Sequence, residues 1–240
     1  MGPEVLQHPL ERADGSTIFG DGLYTVIAAA NGPVEVQRRD ELPEEAAIEV
    51  NLRPLSGVGG PRERWLENLL QPLLEKILLV HMHPRTLIQV TLQITKQPTA
   101  KFRRSNADIS IIPTLVNAAF TALVDGALPL ATTVNAVLVT TGKDGKINTT
   151  PKEQDIETCA SIHAMAFNTI NEQVLEQSSG TFDLRSWEMV ESSAKHACAA
   201  AIATTNEDSA MANGDDQKEP WLRQVLHNRA KAANAWRDCS

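Results

Sequence analysis

One long apolar stretch limits the folds open to this chain more than any other feature. Residues 107–126 read ADISIIPTLVNAAFTALVDG, with apolar residues on almost every side of the helix that they predict. A helix that is apolar all round has to be buried, so other elements must pack over it. The stretch ends at Gly126, a common helix stop signal. The first prediction is therefore a core helix covered by further layers.

The segments around this helix alternate between strand-like and helix-like patterns. Helical spacing of apolar residues predicts a helix over residues 62–80, with a kink at Pro72, and another over 183–204. Strand-like patterns occur over most of residues 14–54, and over 85–94, 128–140, 156–167 and 171–176. This order predicts an α/β fold with mixed β-sheets and packed helices.

The glycine-rich start of the first strand region raises the question of a nucleotide-binding loop. Gly15 and Gly20 have the spacing of the outer glycines in a P-loop, which needs a following Lys and Ser or Thr. Asp21 and Gly22 stand there instead, and a strand-like stretch follows where a helix would be needed. The glycines therefore predict turns between paired strands.

Charge and cysteine content restrict the functional classes. The net charge of −8 provides no bulk attraction for nucleic acid, so RNA contact would need a local basic patch. Cys159, Cys198 and Cys239 are odd in number and widely spaced, which is typical of reduced thiols in an intracellular protein. The first residues lack the pattern of a secretory signal, and no apolar run is long enough for a membrane span. We expect a soluble, intracellular protein.

Composition also divides the chain. We predict an N-terminal extension over residues 1–12, one domain over 13–204, a mobile polar linker over 205–220 and a C-terminal helical tail over 221–240. The apolar face of the tail helix fits docking on its own domain and docking on a neighbouring subunit equally well.

Five basic residues form the candidate RNA-binding set. Arg62 and Arg64 fall in the first turn of a predicted helix, where free backbone N–H groups also favour anions. Lys101, Arg103 and Arg104 crowd one predicted loop around Phe102, a pattern suited to a nucleic-acid backbone and a stacking ring. Ordinary surface charge on a solvated loop explains the same residues equally well.

Other clusters predict no chemistry. Ser161 and His163 alternate with Cys159 on a predicted strand, but strand residues two apart are separated by about 6.5–7 Å, too far for a nucleophile–base hydrogen bond. His81 and His83 have no neighbours that complete a metal site, and Glu153, Asp155 and Glu157 fit a solvated strand entrance. We predict no catalytic residue, no metal site and no cofactor.

Three stretches resemble the ribonuclease PH family in their order and spacing. They are the opening Asp14-Gly15-Ser16 with Gly22, Thr25 and Gly32-Pro33; RERWLENLL followed by VHMHPRTLIQVTLQI; and NAAFTALVDGALPL. The resemblance covers about residues 13–203 and implies the family's ribonuclease PH-like fold, also called ribosomal protein S5 domain 2-like. The phrases ELPEEAAIEVNLRP and SIHAMAF are similar to ring subunits of the eukaryotic RNA exosome.

The resemblance also implies loss of activity. Active members hold phosphate with Arg and Ser or Thr from a glycine-rich loop, and an Asp on a later strand acts at the scissile bond. In this chain the loop arginine falls at Ile112, the loop is replaced by TAKFRRSN, and Ser161 occupies the aspartate position. A serine hydroxyl cannot take over the charge of a carboxylate. Arg62 remains where active members use an arginine against RNA phosphate.

The resemblance therefore predicts a non-catalytic subunit of the exosome core ring. Its expected partners are other ribonuclease PH-like subunits in a hetero-hexameric ring, S1/KH cap subunits, a separate catalytic exoribonuclease and RNA in the central channel, with no membrane. Its expected location is the nucleus and nucleolus, and also the cytoplasm. The alternatives are a phosphorolytic 3′→5′ exoribonuclease and a free-standing RNA-binding module, which the net acidity disfavours.

Overall fold

The computed structural model describes residues 2–100, 102–201 and 220–237, and it confirms the predicted α/β fold with mixed sheets. Its strands and helices, in chain order, are β1 (Glu4–Gln7), β2 (Gly15–Gly20), β3 (Thr25–Glu35), β4 (Ala47–Arg53), α1 (Pro61–Ile77), β5 (Thr86–Lys96), α2 (Arg104–Ser110), α3 (Ile112–Asp125), β6 (Val134–Thr141), β7 (Ile147–Asn148), α4 (Glu153–Thr158), β8 (Ser161–Asn168), β9 (Gln173–Gly180), α5 (Leu184–Ala200) and α6 (Trp221–Asn234).

Two sheets enclose the core. The first has the order β1-β2-β3-β5-β4 and is antiparallel except for the β4–β5 pair, which α1 connects as a parallel crossover. The second has the order β7-β6-β8-β9 and is antiparallel throughout. Helix α3 packs on strands of both sheets, whereas α1 covers β4 and α5 packs on β6 and β8.

The predicted core helix is confirmed as α3. All of its residues except Val124 are buried, because strands contact it from both sheets. The predicted helix divides at Ile111 into α2 and α3; Pro113, which has no N–H to donate to the preceding turn, lies in the first turn of α3. By length and hydropathy Arg104–Asp125 could also span a membrane, but 83% of the apolar window is buried inside the fold, as expected of a core helix.

The glycine-rich start forms a hairpin, as predicted. Gly20 of β2 pairs with Thr25 of β3, and the Asp21 carboxylate accepts hydrogen bonds from two backbone N–H groups of the turn, at 2.8 and 2.7 Å. Gly15 has a different role, because it lies within β2 against the end of α3. A Cβ atom there would lie 2.2 Å from the backbone nitrogen of Gly126, so only glycine allows this contact.

Several predicted boundaries are wrong, and the largest shift is in β6, which begins at Val134 rather than at residue 128. Residues 153–158 form the short helix α4, whereas a strand was predicted from residue 156, and β8 begins only at Ser161. Asp155 stabilises the start of α4 by accepting a hydrogen bond from the backbone of Lys152 at 2.9 Å. Helix α1 continues through Pro72 and ends at Ile77, three residues earlier than predicted.

The tail helix α6 docks on its own domain. Leu222 and Val225 are buried, and the Trp221 ring meets the Phe19 ring edge-on at a centroid distance of 5.4 Å. The side chain of Gln7 in β1 donates to the Val225 carbonyl at 3.2 Å, so α6 also contacts the edge of the first sheet. Residues 205–219 of the predicted linker lie outside the described residues.

Arg229 of α6 and Asp125 of α3 form the polar part of this docking contact. The guanidinium donates to the Asp125 carbonyl at 2.7 and 3.0 Å and lies 3.2 Å from Oδ1 of its buried carboxylate. Oδ2 of the same carboxylate accepts the Ser16 backbone N–H at 2.8 Å and lies 2.9 Å from His8 Nδ1. Helix α6 therefore supplies a cation to a carboxylate at the C-terminal end of α3, where the helix dipole disfavours negative charge.

Candidate nucleic-acid interface

Arg62 and Arg64 lie in the first turn of α1, as the sequence predicts, but on different sides of it. Residues two apart on a helix do not face each other. The Arg62 side chain is 29% exposed, and Arg64 is exposed. The Glu63 carboxylate accepts the Gly60 backbone N–H at 2.8 Å, so one carboxylate of the chain already caps this helix start.

Arg103 and Arg104 lie at the start of a helix, whereas the sequence predicts a loop at this position. Arg103 is the residue before α2, Arg104 is its first residue, and both are exposed. Phe102 is half-buried and packs against the core, so its ring is not a free stacking surface. Lys101 lies outside the described residues.

Arg62 connects α1 with α2. Its Nε donates to the carboxylate of Asp108, and its Nη2 donates to the Ala107 carbonyl at 3.1 Å. The Asp108 side chain is 20% exposed, so the ion pair lies near the surface. Three of the predicted residues are therefore close to one short helix: Arg103 and Arg104 at its start and Arg62 against its second half.

Two hydroxyl groups lie beneath this ion pair. The Tyr24 hydroxyl is 2.8 Å from Ser110 Oγ, which in turn donates to the Ala107 carbonyl at 3.1 Å. Burial raises the pKa of Tyr24, while the Ser110 hydrogen bond and the Arg62 charge oppose that shift. We call the group formed by Arg62, Asp108, Ala107, Tyr24 and Ser110 the α1–α2 corner.

Ser161 and His163 do form a hydrogen bond, contrary to the expectation from strand spacing. Ser161 Oγ lies 3.0 Å from His163 Nε2, and His163 Nδ1 lies 2.8 Å from Ser178 Oγ. Both Ser161 and His163 are buried, at 1% and 0% exposure, and the Phe182 ring covers the imidazole edge-on at 4.8 Å. Burial lowers the pKa of His163. A substrate cannot reach this pair while Phe182 and the sheet enclose it.

The two described cysteines have the properties of structural residues. Cys159 ends α4 and so does not share a strand face with Ser161; burial raises the pKa of its thiol. Burial raises the pKa of Cys198 to about 12, so it carries no thiolate near neutral pH. Within the described ranges, no group of three or more His, Cys, Asp and Glu side chains could hold a metal ion.

Comparison with known proteins identifies the family. The RNase PH family model, which describes domain 1 of the 3′ exoribonuclease family, matches this chain. The match covers residues 6–129, just over half of the chain. The chain belongs to the ribonuclease PH family. The resemblance predicted from the three motifs is thereby confirmed.

Relatives within the ribonuclease PH family carry exosome names. Exosome complex component RRP46 of Saccharomyces cerevisiae is 32% identical over 163 residues, which are 68% of this chain and 72% of the yeast protein. The protein named exosome complex exonuclease RRP46 homolog of Oryza sativa subsp. japonica is 34% identical over 59% of this chain, a match that spans only 55% of the rice protein. The crystal structure of rice Rrp46 superposes with a TM-score of 0.69 at 26% identity, over 81% of this chain and 89% of that one. The ribonuclease PH-like fold is confirmed.

Sequence reasoning missed the carboxylate that holds Arg62. Asp108 is 46 positions away and lies near the start of an apolar stretch, where isolated acidic residues give no motif. The signal that could have found it was the presence of an acidic residue in an otherwise apolar helix, because a carboxylate in such surroundings usually has a charged or hydrogen-bonding partner.

Proposed function

We propose that this chain is a non-catalytic ring subunit of the RNA exosome core, which supports 3′→5′ RNA processing and degradation by helping to form the RNA channel. The observation that carries the proposal is the similarity to RRP46 exosome components, which includes most of the length of the yeast relative. The agreement with the rice Rrp46 structure over 81% of this chain supports the same role.

The absence of catalysis is supported by the surroundings of two positions. Ser161, where the family resemblance places the catalytic aspartate, is buried and bonded to His163. Ile112, where it places the phosphate-binding arginine, is fully buried as the first residue of α3. A buried hydroxyl and a buried alkyl side chain supply neither the acid–base group nor the cation that phosphorolysis requires.

The partners and location follow from this role. The chain would pair with other ribonuclease PH-like subunits in a hetero-hexameric ring, contact S1/KH cap subunits and direct RNA to a separate exoribonuclease. The site of action would be the nucleus and nucleolus, and also the cytoplasm, where rRNA is matured and RNA is turned over.

Affinity purification of the tagged chain from its own cells tests the assignment. Recovery of further ribonuclease PH-like subunits and S1/KH caps at near equal stoichiometry is expected. Recovery of the chain alone would contradict the ring role.

The rival function is a phosphorolytic exoribonuclease; the rice relative, named exosome complex exonuclease RRP46 homolog, favours exonuclease activity in general. It requires phosphate-dependent release of nucleoside diphosphates from RNA, by the chain alone or with its partner subunit. The expected result is no such release. A signal that disappears in Ser161→Ala would establish the enzyme and overturn the non-catalytic assignment.

Arg103 and Arg104 supply a second test, in the assembled complex. Replacing both with Glu should weaken the protection of threaded RNA about tenfold while leaving assembly intact, because two exposed cations become anions. Loss of assembly with unchanged protection would instead identify the start of α2 as a protein interface. Lys143→Glu/Lys146→Glu, which makes the same change in net charge at an exposed turn, is the control.

A further inference from the structure

Ser161 and His163 have the geometry of a nucleophile and its base. The Ser161 Oγ atom lies 3.0 Å from His163 Nε2, and His163 Nδ1 lies 2.8 Å from Ser178 Oγ. The Ser178 hydroxyl in turn donates to the Glu176 carboxylate at 3.2 Å. An activated serine requires a base within hydrogen-bond distance and a third group that orients the base. Strands β8 and β9 supply all three groups.

The partners of the imidazole determine where its proton lies. The Glu176 carboxylate can only accept, so the single hydroxyl proton of Ser178 points to it. The Ser178 oxygen must then accept from His163 Nδ1–H, which leaves the lone pair on Nε2. The Ser161 hydroxyl therefore donates to His163 Nε2, and this is the tautomer that a general base needs. Burial lowers the pKa of His163, which keeps the base neutral near pH 7.

A further hydroxyl lies beside Ser161 on the neighbouring strand. Thr141 of β6 is paired with Ser161 of β8, so their side chains lie on the same face of the second sheet. Thr141 Oγ1 is buried and has no hydrogen-bond partner among the described residues. A buried hydroxyl without a partner is an exception in folded proteins. Beside an attacking serine, such a donor stabilises the oxygen that becomes negative during acyl transfer.

Phe182 separates the pair from solvent. Its ring meets the His163 imidazole edge-on at a centroid distance of 4.8 Å, and the residue is itself 44% exposed. Phe182 lies in the exposed connection of residues 181–183 between β9 and α5. Because solvent already reaches the outer side of the ring, a rotation of this one side chain would open a path to the imidazole.

We propose that Ser161 is a latent nucleophile that takes an acyl group from a small uncharged ester when Phe182 moves aside. Ser161 Oγ attacks the carbonyl carbon of the ester, and its proton passes to His163 Nε2. The oxyanion that forms accepts a hydrogen bond from the Thr141 hydroxyl. When the carbonyl forms again, the ester C–O bond breaks and the leaving oxygen takes the proton from His163. The products are acyl-Ser161 and an alcohol.

The surroundings of the pair determine the class of substrate. The groups that meet there are hydroxyls, a neutral imidazole and an aromatic ring, and none of these is a cation that would hold a phosphate. A small ester without charge fits this chemistry, and RNA does not. The proposal therefore goes beyond the proposed function and does not depend on it.

The test measures covalent labelling of the full-length chain by a small uncharged fluorophosphonate, whose phosphorus takes the place of the ester carbonyl carbon. Attack by Ser161 forms an Oγ–P bond and breaks the P–F bond, so fluoride leaves and the proton goes to His163. Peptide mass mapping locates the adduct. Phe182→Ala should raise the rate of Ser161 labelling about tenfold, because the lid over the pair is removed. Leu184→Ala, at a 73% exposed position two residues away, should leave the rate unchanged.

Two further changes in the Phe182→Ala background test the role of the imidazole. His163→Gln should abolish the labelling, because Ser161 loses the group that takes its proton. Ser178→Ala should slow the labelling and shift its pH profile to lower pH, because the protonated imidazole loses an acceptor at Nδ1.

Equal labelling of Ser161 in Phe182→Ala and Leu184→Ala, including none in either, would overturn the proposal. Labelling that continues unchanged with His163→Gln would also overturn it. If Phe182→Ala does not fold, as judged by circular dichroism, Phe182→Leu carries the same comparison. The measurement contains no RNA and no partner subunit, so failure of the chain to assemble into a ring would reject the proposed function alone.

Discussion

Two Arg–Asp pairs that each join one helix to another differ mainly in burial. Arg229 and Asp125 join the tail helix to the end of α3, where the carboxylate has no exposed surface. Arg62 and Asp108 join α1 to α2, where both side chains remain partly exposed. A buried carboxylate that loses its partner costs several kcal/mol, whereas an exposed pair contributes at most about 1 kcal/mol. The first pair therefore serves the fold, whereas the second contributes little to its stability.

The largest effect is expected beside the buried pair, at Gly15. Gly15→Ala should lower the free energy of unfolding by about 3 kcal/mol or more, because the new methyl group would overlap the backbone of Gly126 at 2.2 Å. Urea unfolding followed by circular dichroism measures the loss. Gly59→Ala, where the nearest atom is 3.6 Å away, is the matched control. Equal stabilities of the two variants would mean that β2 does not touch the end of α3.

The pairs themselves can be compared directly by the same unfolding measurement. Arg229→Met should lower the free energy of unfolding by about 2 kcal/mol, since it removes a cation from a fully buried carboxylate that still keeps two other partners. Arg62→Met should cost less than about 1 kcal/mol, because water can replace the guanidinium at Asp108. Similar losses of unfolding free energy in the two variants would mean that the two pairs do not differ in their contribution to stability.

The buried His163 makes the stability of the protein depend on pH. Burial lowers the pKa of His163 below its ordinary value of 6.5, so the unfolded chain takes up the proton first on acidification. The stability contributed by neutral His163 is present above about pH 6.5 and is lost as the pH falls toward the folded pKa. Free energies of unfolding between neutral and mildly acidic pH should show this slope.

His163→Gln identifies the source of the slope. The variant should flatten it even if the protein becomes less stable, whereas His196→Gln, at an exposed position, should retain it. An unchanged slope in His163→Gln would assign the acid sensitivity to other groups.

The smallest effect is a spectroscopic one at the α1–α2 corner. Tyr24 is the only tyrosine of the chain, so tyrosinate absorbance reports this corner alone. The Asp108 charge raises the pKa of Tyr24 and the Arg62 charge lowers it. Asp108→Asn should therefore lower the pKa and Arg62→Gln should raise it further, with Asp144→Asn unchanged. Shifts in the same direction for both variants would indicate that the ion pair is not formed in solution.

The parts of the fold that depend on local pattern were predictable from the sequence. Helix α3 was recognised because residues on almost every side of it are apolar, and the β2–β3 hairpin because Asp21 and Gly22 have the chemistry of a turn. Helix α4 was missed because Ile156 and Thr158 favour strands and directly precede the true strand β8. The capping hydrogen bond that the Asp155 carboxylate accepts and the burial of Ile156 outweigh that preference.

The candidate site was predictable only in part, because its defining contacts are long-range. The sequence placed Arg62 and Arg64 at a helix start, but the partner of Arg62 lies 46 positions away. The bond between Ser161 and His163 was excluded from the spacing of strand residues, and this was wrong because side chains two apart can lean toward each other. Distances between Cα atoms do not limit how closely long side chains approach.

The docking of α6 has a consequence for competition between helices. Residues 202–219 connect α6 covalently to the domain that it covers, and such tethers give effective concentrations on the order of millimolar. Each helix competes through the ratio of its concentration to its dissociation constant. A helix from another molecule can displace α6 only if this ratio is larger than the ratio of the effective concentration of α6 to the dissociation constant of α6. Cutting the chain within residues 202–219 would remove this advantage, because a peptide of residues 220–237 added back at micromolar concentration would be about a thousandfold more dilute than the tethered helix.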